Sequence, residues 1–183
     1  MTITSTQLFL YFGALIILFL TPGPVWIAII ARTVSGGAKS ALSLTLGVSL
    51  GDMIWPIIVF LGLGFLITIY SDIFILIRYL AAVILSFMGL LVILNAQNTI
   101  STNKKLTKSG FFAGFSAGFI AITANPKAAL FYLTLLPGFF DFTTIGTIDL
   151  VVISVTSFSV PMLGNAILIL FLSKVRNLIS SPK

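Results

Sequence analysis

The sequence predicts an all-α membrane protein, a polytopic transmembrane bundle of about five helices, and three observations carry that prediction. The first is composition: 58% of the 183 residues are hydrophobic and only 8% are charged, whereas soluble domains run at about 45–50% and about 25%. The second is a mean hydropathy of +1.20. The third is that the apolar residues fall into runs of about 20 or more, the length that crosses about 30 Å of hydrocarbon. So little charge cannot cover a surface facing water, so lipid is the solvent for most of the chain.

Five segments qualify as spans: roughly 7–31, 41–68, 73–94, 110–136 and 147–172. The first reads as a retained helix. No Lys or Arg lies in residues 1–6, and the apolar run continues past Pro24 through Val25–Ala31, beyond a cleaved signal's apolar core. It is interrupted by Thr21-Pro22-Gly23-Pro24, where two prolines remove backbone donors and clash with the preceding turn. The second segment carries Asp52 near its middle, beside Gly47 and Gly51. A charge at that depth costs about 2.5–3.5 kcal/mol on insertion scales, so it must face a polar interior or a partner. The third segment holds Arg78 about a turn from its end, within snorkelling reach of water. The fourth repeats the interruption as Asn125-Pro126-Lys127, and its Gly110, Gly114 and Gly118 recur every four residues, a small-residue face for close helix packing. The fifth carries Gly164-Asn165, the counterpart of Gly51-Asp52. Trp26 and Trp55 lie away from the helix ends, where either could line a cavity.

The breaks between spans are short, so residues 1–183 read as a single transmembrane domain. Arg32 and Lys39 lie in the first break, Lys104, Lys105 and Lys108 in the third, and Lys174, Arg176 and Lys183 in the tail. The second and fourth breaks hold no basic residue, but Asp72, Asp141 and Asp149 lie in or beside them. Basic loops stay in the cytoplasm, which places the amino terminus outside and residues 173–183 inside. This distribution also explains the net charge of +6 as topology, without a nucleic-acid partner.

Proline breaks at matching places in two segments of opposite direction point to an inverted repeat with a binding site at the membrane midplane. Helices 1–3 and 4–5 then form 3+2 of a 3+3 repeat. The candidate substrate- or ion-binding residues are Thr21, Pro22, Gly23, Pro24, Asp52, Asn125, Pro126, Lys127 and Asn165. An Asp52–Lys127 pair is one arrangement, since these are the two ionisable residues at depth.

Thr21-Pro22-Gly23-Pro24, the stretch from Gly47 to Asp52, and the run from Asn125 through Phe131 together resemble the LysE/RhtB family of amino-acid exporters. The resemblance runs over nearly the whole chain. It implies a bacterial cytoplasmic-membrane exporter of amino acids or related small metabolites, driven by the proton gradient, with the matched residues above as its functional positions. The family pattern has six helices. Here Lys174–Lys183 stands where the loop before the sixth would be, the expectation for a shortened chain, a fragment or a decayed copy. A homodimer would cover the face so left.

Other classes fare worse. Without His, Cys or Glu no metal site is expected, and no cofactor is implied. Aspartyl chemistry needs two carboxylates together, whereas Asp52 is the one acid at depth. No motif supports a Ser–Lys dyad built on Lys127. The alternative to a transporter is a non-transporting membrane protein, an assembly partner or an inactive relative.

Overall fold

A computed structural model describes residues 1–67 and 110–180, together with positions 79, 80, 82–84, 86, 87, 90 and 94, which are helical. The predicted third span, its flanking breaks, Arg78 and the lysines at 104, 105 and 108 otherwise lie outside the described residues. Among the described residues every element is a helix.

Helix α1 is Ser5–Leu20. It opens on a capping box in which Thr4 accepts from the Gln7 backbone and Gln7 reaches back to the Thr4 N–H. Helix α2 runs Pro24–Ile67 but turns at Gly37, whose φ of 74° and ψ of −179° are not helical. Two arms result, residues 24–36 and 38–67. Pro24–Gly62 alone is 39 residues, about 58 Å if straight, twice the hydrocarbon thickness. The arms therefore fold back on each other, and Val25 and Trp26 of the first share a cavity with Val48 and Asp52 of the second. Helix α3 is Phe111–Thr123, and after a break come α4 at Pro126–Leu130, a π-helical turn at Phe131–Leu135 and α5 at Leu136–Phe139. Helix α6 is Thr147–Ser180.

Among the described residues two helices are long and apolar enough to span a membrane, within Pro24–Gly62 and Thr147–Arg176, and α3 with Pro126–Phe139 makes a third if the pair, bent by 50°, is one span. Large apolar side chains such as Phe9, Ile17, Phe112, Ile120, Leu163 and Leu170 point outward, while Thr45, Ser49, Asp52, Ser154, Ser157 and Asn165 are buried. These polar side chains are enclosed with an apolar core, while the exterior is apolar, as a lipid solvent selects.

Side-chain register gives the helix directions. Thr2 meets Asp149, Tyr11 meets Ser157, and Phe19 meets Gly164, so α1 and α6 run parallel. The second arm of α2 and α3 also run parallel, since Ser43 and Leu44 face Gly114 and Gly118, and Gly51 faces Ile122. A Cβ on Gly47 would collide with the Phe115 carbonyl and one on Gly118 with the Leu44 carbonyl. The four-residue glycine spacing is therefore a packing face, as expected at Gly114 and Gly118. Gly110 departs from that expectation. It has open space around it and caps α3 at φ 105°, a conformation that favours glycine.

Two sequence expectations need correction. The first break is not a loop: the helix continues through Arg32 to the turn at Gly37. Arg32 is fully buried there, donating from Nε to the Ser40 carbonyl at 2.8 Å and from a terminal nitrogen to the Gly110 carbonyl at 3.0 Å. The last helix also extends to Ser180 rather than ending near 172. Gly37, Gly110 and Arg176 gather at one end of the bundle. At the other end, the Asp149 carboxylate accepts from the backbone of Thr2, Ile3 and Gly146 and from the Thr2 hydroxyl. Asp141 lies in the turn before α6, where the Thr143 hydroxyl and backbone N–H hold its carboxyl below the usual carboxylate range.

Candidate functional site

The two proline breaks meet in space. At the end of α1, Pro22 and Pro24 supply no N–H, so the carbonyls of the last turn lose their normal partners. Leu18, four residues before Pro22, is one such carbonyl, and Lys127 supplies the missing donor. Its Nζ lies 3.0 Å from the Leu18 oxygen and 2.6 Å from the Thr21 oxygen. Trp26 Nε1 donates to the Phe19 carbonyl at 2.7 Å. The Thr21 N–H and hydroxyl both reach the Ile17 carbonyl. A cation at the negative end of a half-helix is also favoured by the helix dipole. The second break is built from its own side: Asn125 caps α4 by accepting from the Lys127 N–H at 3.1 Å, and Pro126 occupies the first turn, where no donor is needed.

Between the breaks lies a cavity of about 40 Å³, lined by Gly23, Asp52, Asn125, Lys127 and Asn165 and by apolar side chains that include Leu15, Val48, Ile122 and Trp26. Thr21, Pro22, Pro24 and Pro126 shape its walls without lining it. That is the space open to the centre of a water-sized sphere, and a site needs about 10–15 Å³ by this measure to admit a water, so the cavity admits water.

Lys127 and Asp52 border this cavity without forming an ion pair among the described residues. The lysine serves α1, while Asp52, 2% exposed, accepts from the Tyr132 hydroxyl at 3.1 Å. Asn165, equally buried, has no partner for its Oδ1 among the described residues. The site thus gathers a cation, a carboxyl and an unsatisfied amide oxygen within one apolar wall.

Sequence reasoning missed Tyr132, Tyr11 and Ser157. Tyr132 sits on the π-helical turn, a local irregularity often found at functional sites, and its ring stacks on Trp55 at 6.1 Å and 8°. Tyr11 hydrogen bonds to Ser157 at 2.6 Å. A usable signal did exist: Pro56 and Pro161 stand four residues after Asp52 and Ser157, so neither of those backbone carbonyls has an α-helical donor.

Among known proteins, the chain is 37% identical to the uncharacterized membrane protein slr1627 of Synechocystis sp. over 146 residues, 80% of this chain and 70% of that protein. It is 29% identical over 133 residues to the leucine efflux proteins of Salmonella typhimurium and Salmonella typhi, covering 73% of this chain and 63% of theirs. The chain thus spans less than two thirds of the leucine efflux proteins. No solved structure matches. The profile of the LysE type translocators matches residues 16–183, and with the paired helix breaks in place the chain belongs to that family.

Proposed function

We propose that this protein exports amino acids with aliphatic side chains across the bacterial cytoplasmic membrane, by alternating access about the cavity between the two helix breaks, and that a proton drives the cycle. The observation that carries the reading is that Lys127 and Asp52 both line one apolar-walled cavity without pairing with each other among the described residues. An amino acid has a carboxylate and an ammonium separated by one carbon, and its side chain needs somewhere dry. Two of the three N–H donors of Lys127 hold Leu18 and Thr21, which leaves the third for the substrate carboxylate. The first turn of α2 adds backbone N–H groups of Val25 and Trp26, residues that line the cavity. Asp52 receives the ammonium, with Asn165 beside it. The leucine efflux relatives support the aliphatic substrate class.

The basic end of the bundle, with Arg32, Lys39 and Arg176 near the Gly37 turn, faces the cytoplasm in this reading. The end bearing Thr2, Asp141 and Asp149 faces outward. The parallel pairing of α1 with α6, and of the second α2 arm with α3, supports the inverted-repeat reading: the two broken segments cross in opposite directions, and their proline breaks meet.

The test is efflux from cells loaded through a mixed dipeptide supply, comparing the intact chain with Asp52→Asn. Faster release of leucine, isoleucine or valine by the intact chain alone is the expected result. No difference from cells lacking the protein, with the chain shown to be inserted, would favour a non-transporting relative instead.

A further inference from the structure

Asp52 has a second face, away from the cavity, on which a cluster of buried hydroxyls converges. Tyr132 donates to Asp52 Oδ1 at 3.1 Å, and Tyr11 and Ser157 share a 2.6 Å hydrogen bond. The Tyr132 hydroxyl neighbours both Ser157 and Tyr11, so the three hydroxyls and the carboxyl form one group. These side chains come from α1, α6, the π-helical turn and α2. Tyr11, Ser157 and Tyr132 are fully buried, and none of the three lines the substrate cavity. Tyr11 is enclosed by the rings of Phe131, Phe139 and Phe140, with centroids 5.3–6.4 Å away. Phenylalanine at 11 or 132 would fill the same space without burying a hydroxyl, and burial of polar groups is costly unless they are connected.

The cluster has a direction. Asp52 stands level with Asn165 on α6, whereas Ser157 lies two turns nearer the start of that helix, and Tyr11 lies in the first half of α1. The hydroxyls therefore lead from Asp52 toward the bundle end that holds Thr2 and Asp149.

We propose that Tyr11, Ser157 and Tyr132 are a proton relay joining Asp52 to that end of the bundle, separate from the route taken by substrate. This rests on the proton-driven reading above and deepens it. When a hydrated proton reaches Tyr11, it gives its proton to the Tyr11 oxygen, leaving water, as Tyr11 passes its own to Ser157. Ser157 turns its hydroxyl from the Ile153 carbonyl, which it now meets at 2.8 Å, and passes its proton to Tyr132, which protonates Asp52. Each hydroxyl ends with one proton, and the net transfer is one proton from hydronium to the carboxylate, leaving water and a carboxylic acid. The groups near Asp52 are then Lys127 and Asn165, which line the cavity with it, Tyr132, which donates to it, and Ser157 and Tyr11 beyond Tyr132. A proton and a substrate ammonium compete for the same carboxylate, and that competition couples their movements.

The experiment uses the full chain in liposomes holding a trapped pH dye, with two readouts: proton movement driven by a leucine gradient, and exchange of labelled for unlabelled leucine at equal pH. The variants are Tyr132→Phe, Tyr11→Phe and Ser157→Ala. The expected result is a fall of about tenfold or more in leucine-driven proton movement, with exchange kept within about threefold. Unchanged proton movement in all three variants overturns the relay, as does a parallel loss of both readouts, which marks the hydroxyls as structural. A wild type that exchanges leucine but moves no protons overturns both the relay and the proton coupling while leaving the amino-acid site standing. A wild type that does neither overturns the transport reading itself.

Discussion

At Lys127 one side chain joins two elements that the sequence separates by about a hundred residues. The ammonium replaces the N–H that Pro22 lacks, so its removal leaves the Leu18 and Thr21 carbonyls without partners as well as taking a cation from the site. Lys127→Met is expected to abolish efflux and to lower stability by about 0.5–1.5 kcal/mol, the net worth of a hydrogen bond, since the Leu18 contact is part-buried and the Thr21 contact exposed. Thermal unfolding of the detergent-solubilised protein measures the second effect. Position 127 was legible in the sequence because it belongs to the Asn-Pro-Lys break. Its partner was not: charge arithmetic suggests Asp52, whereas the structure places the lysine on backbone carbonyls freed by prolines, which no residue count reveals. Asp141 shows the opposite case. Its turn lowers its carboxyl's affinity for protons, so the stability it adds is present above the ordinary carboxylate pKa and is lost only as pH falls through its depressed folded value. A pH dependence of transport near neutrality therefore does not arise from Asp141.

Among the elements, the second arm of α2 and α3 approach so closely that glycine is required at the seam. Gly118→Ala would drive its Cβ into the Leu44 carbonyl, backbone against side chain, and is expected to destabilise by about 1–3 kcal/mol or to prevent folding. Gly13→Ala in α1 meets open space and is expected to be neutral, or to stabilise by up to about 1 kcal/mol through helix propensity. Monodispersity and melting temperature of the two purified variants check this contrast. The small-residue face was legible from its period of four, and both proline breaks from their residues. The continuation of the helix through Arg32 was not. A buried arginine at a helix end reads as a loop charge until its acceptors, the Ser40 and Gly110 carbonyls, are known. The π-helical turn at Phe131–Leu135 was equally hidden, since nothing in its apolar sequence sets it apart from an α-helical turn.

For the whole molecule, the reading of an apolar exterior followed from composition and holds in the structure, with the polar side chains enclosed in the core. The direction in which the bundle crosses the membrane rests on charge distribution, and the absence of cysteine makes it directly testable. Single substitutions Lys39→Cys and Thr143→Cys in intact cells, treated with an impermeant maleimide, are expected to label only at position 143. Labelling at 39 alone would reverse the orientation. The matching proline breaks already pointed to one shared site, but the pairing of α1 with α6 could not be read from the sequence, because helix periodicity says which face is apolar and not which neighbour covers it.

The claim that joins these scales is that one cavity recognises both charged groups of an amino acid, and a binding measurement on the purified protein tests it most directly. Melting temperature would be followed with leucine, with leucine amide, which lacks the carboxylate, and with 4-methylpentanoate, which lacks the ammonium. Stabilisation by leucine that both analogues fail to reproduce, and that Asp52→Asn and Lys127→Met each abolish, is the expected result. Equal stabilisation by all three compounds, or leucine binding indifferent to both substitutions, would contradict it.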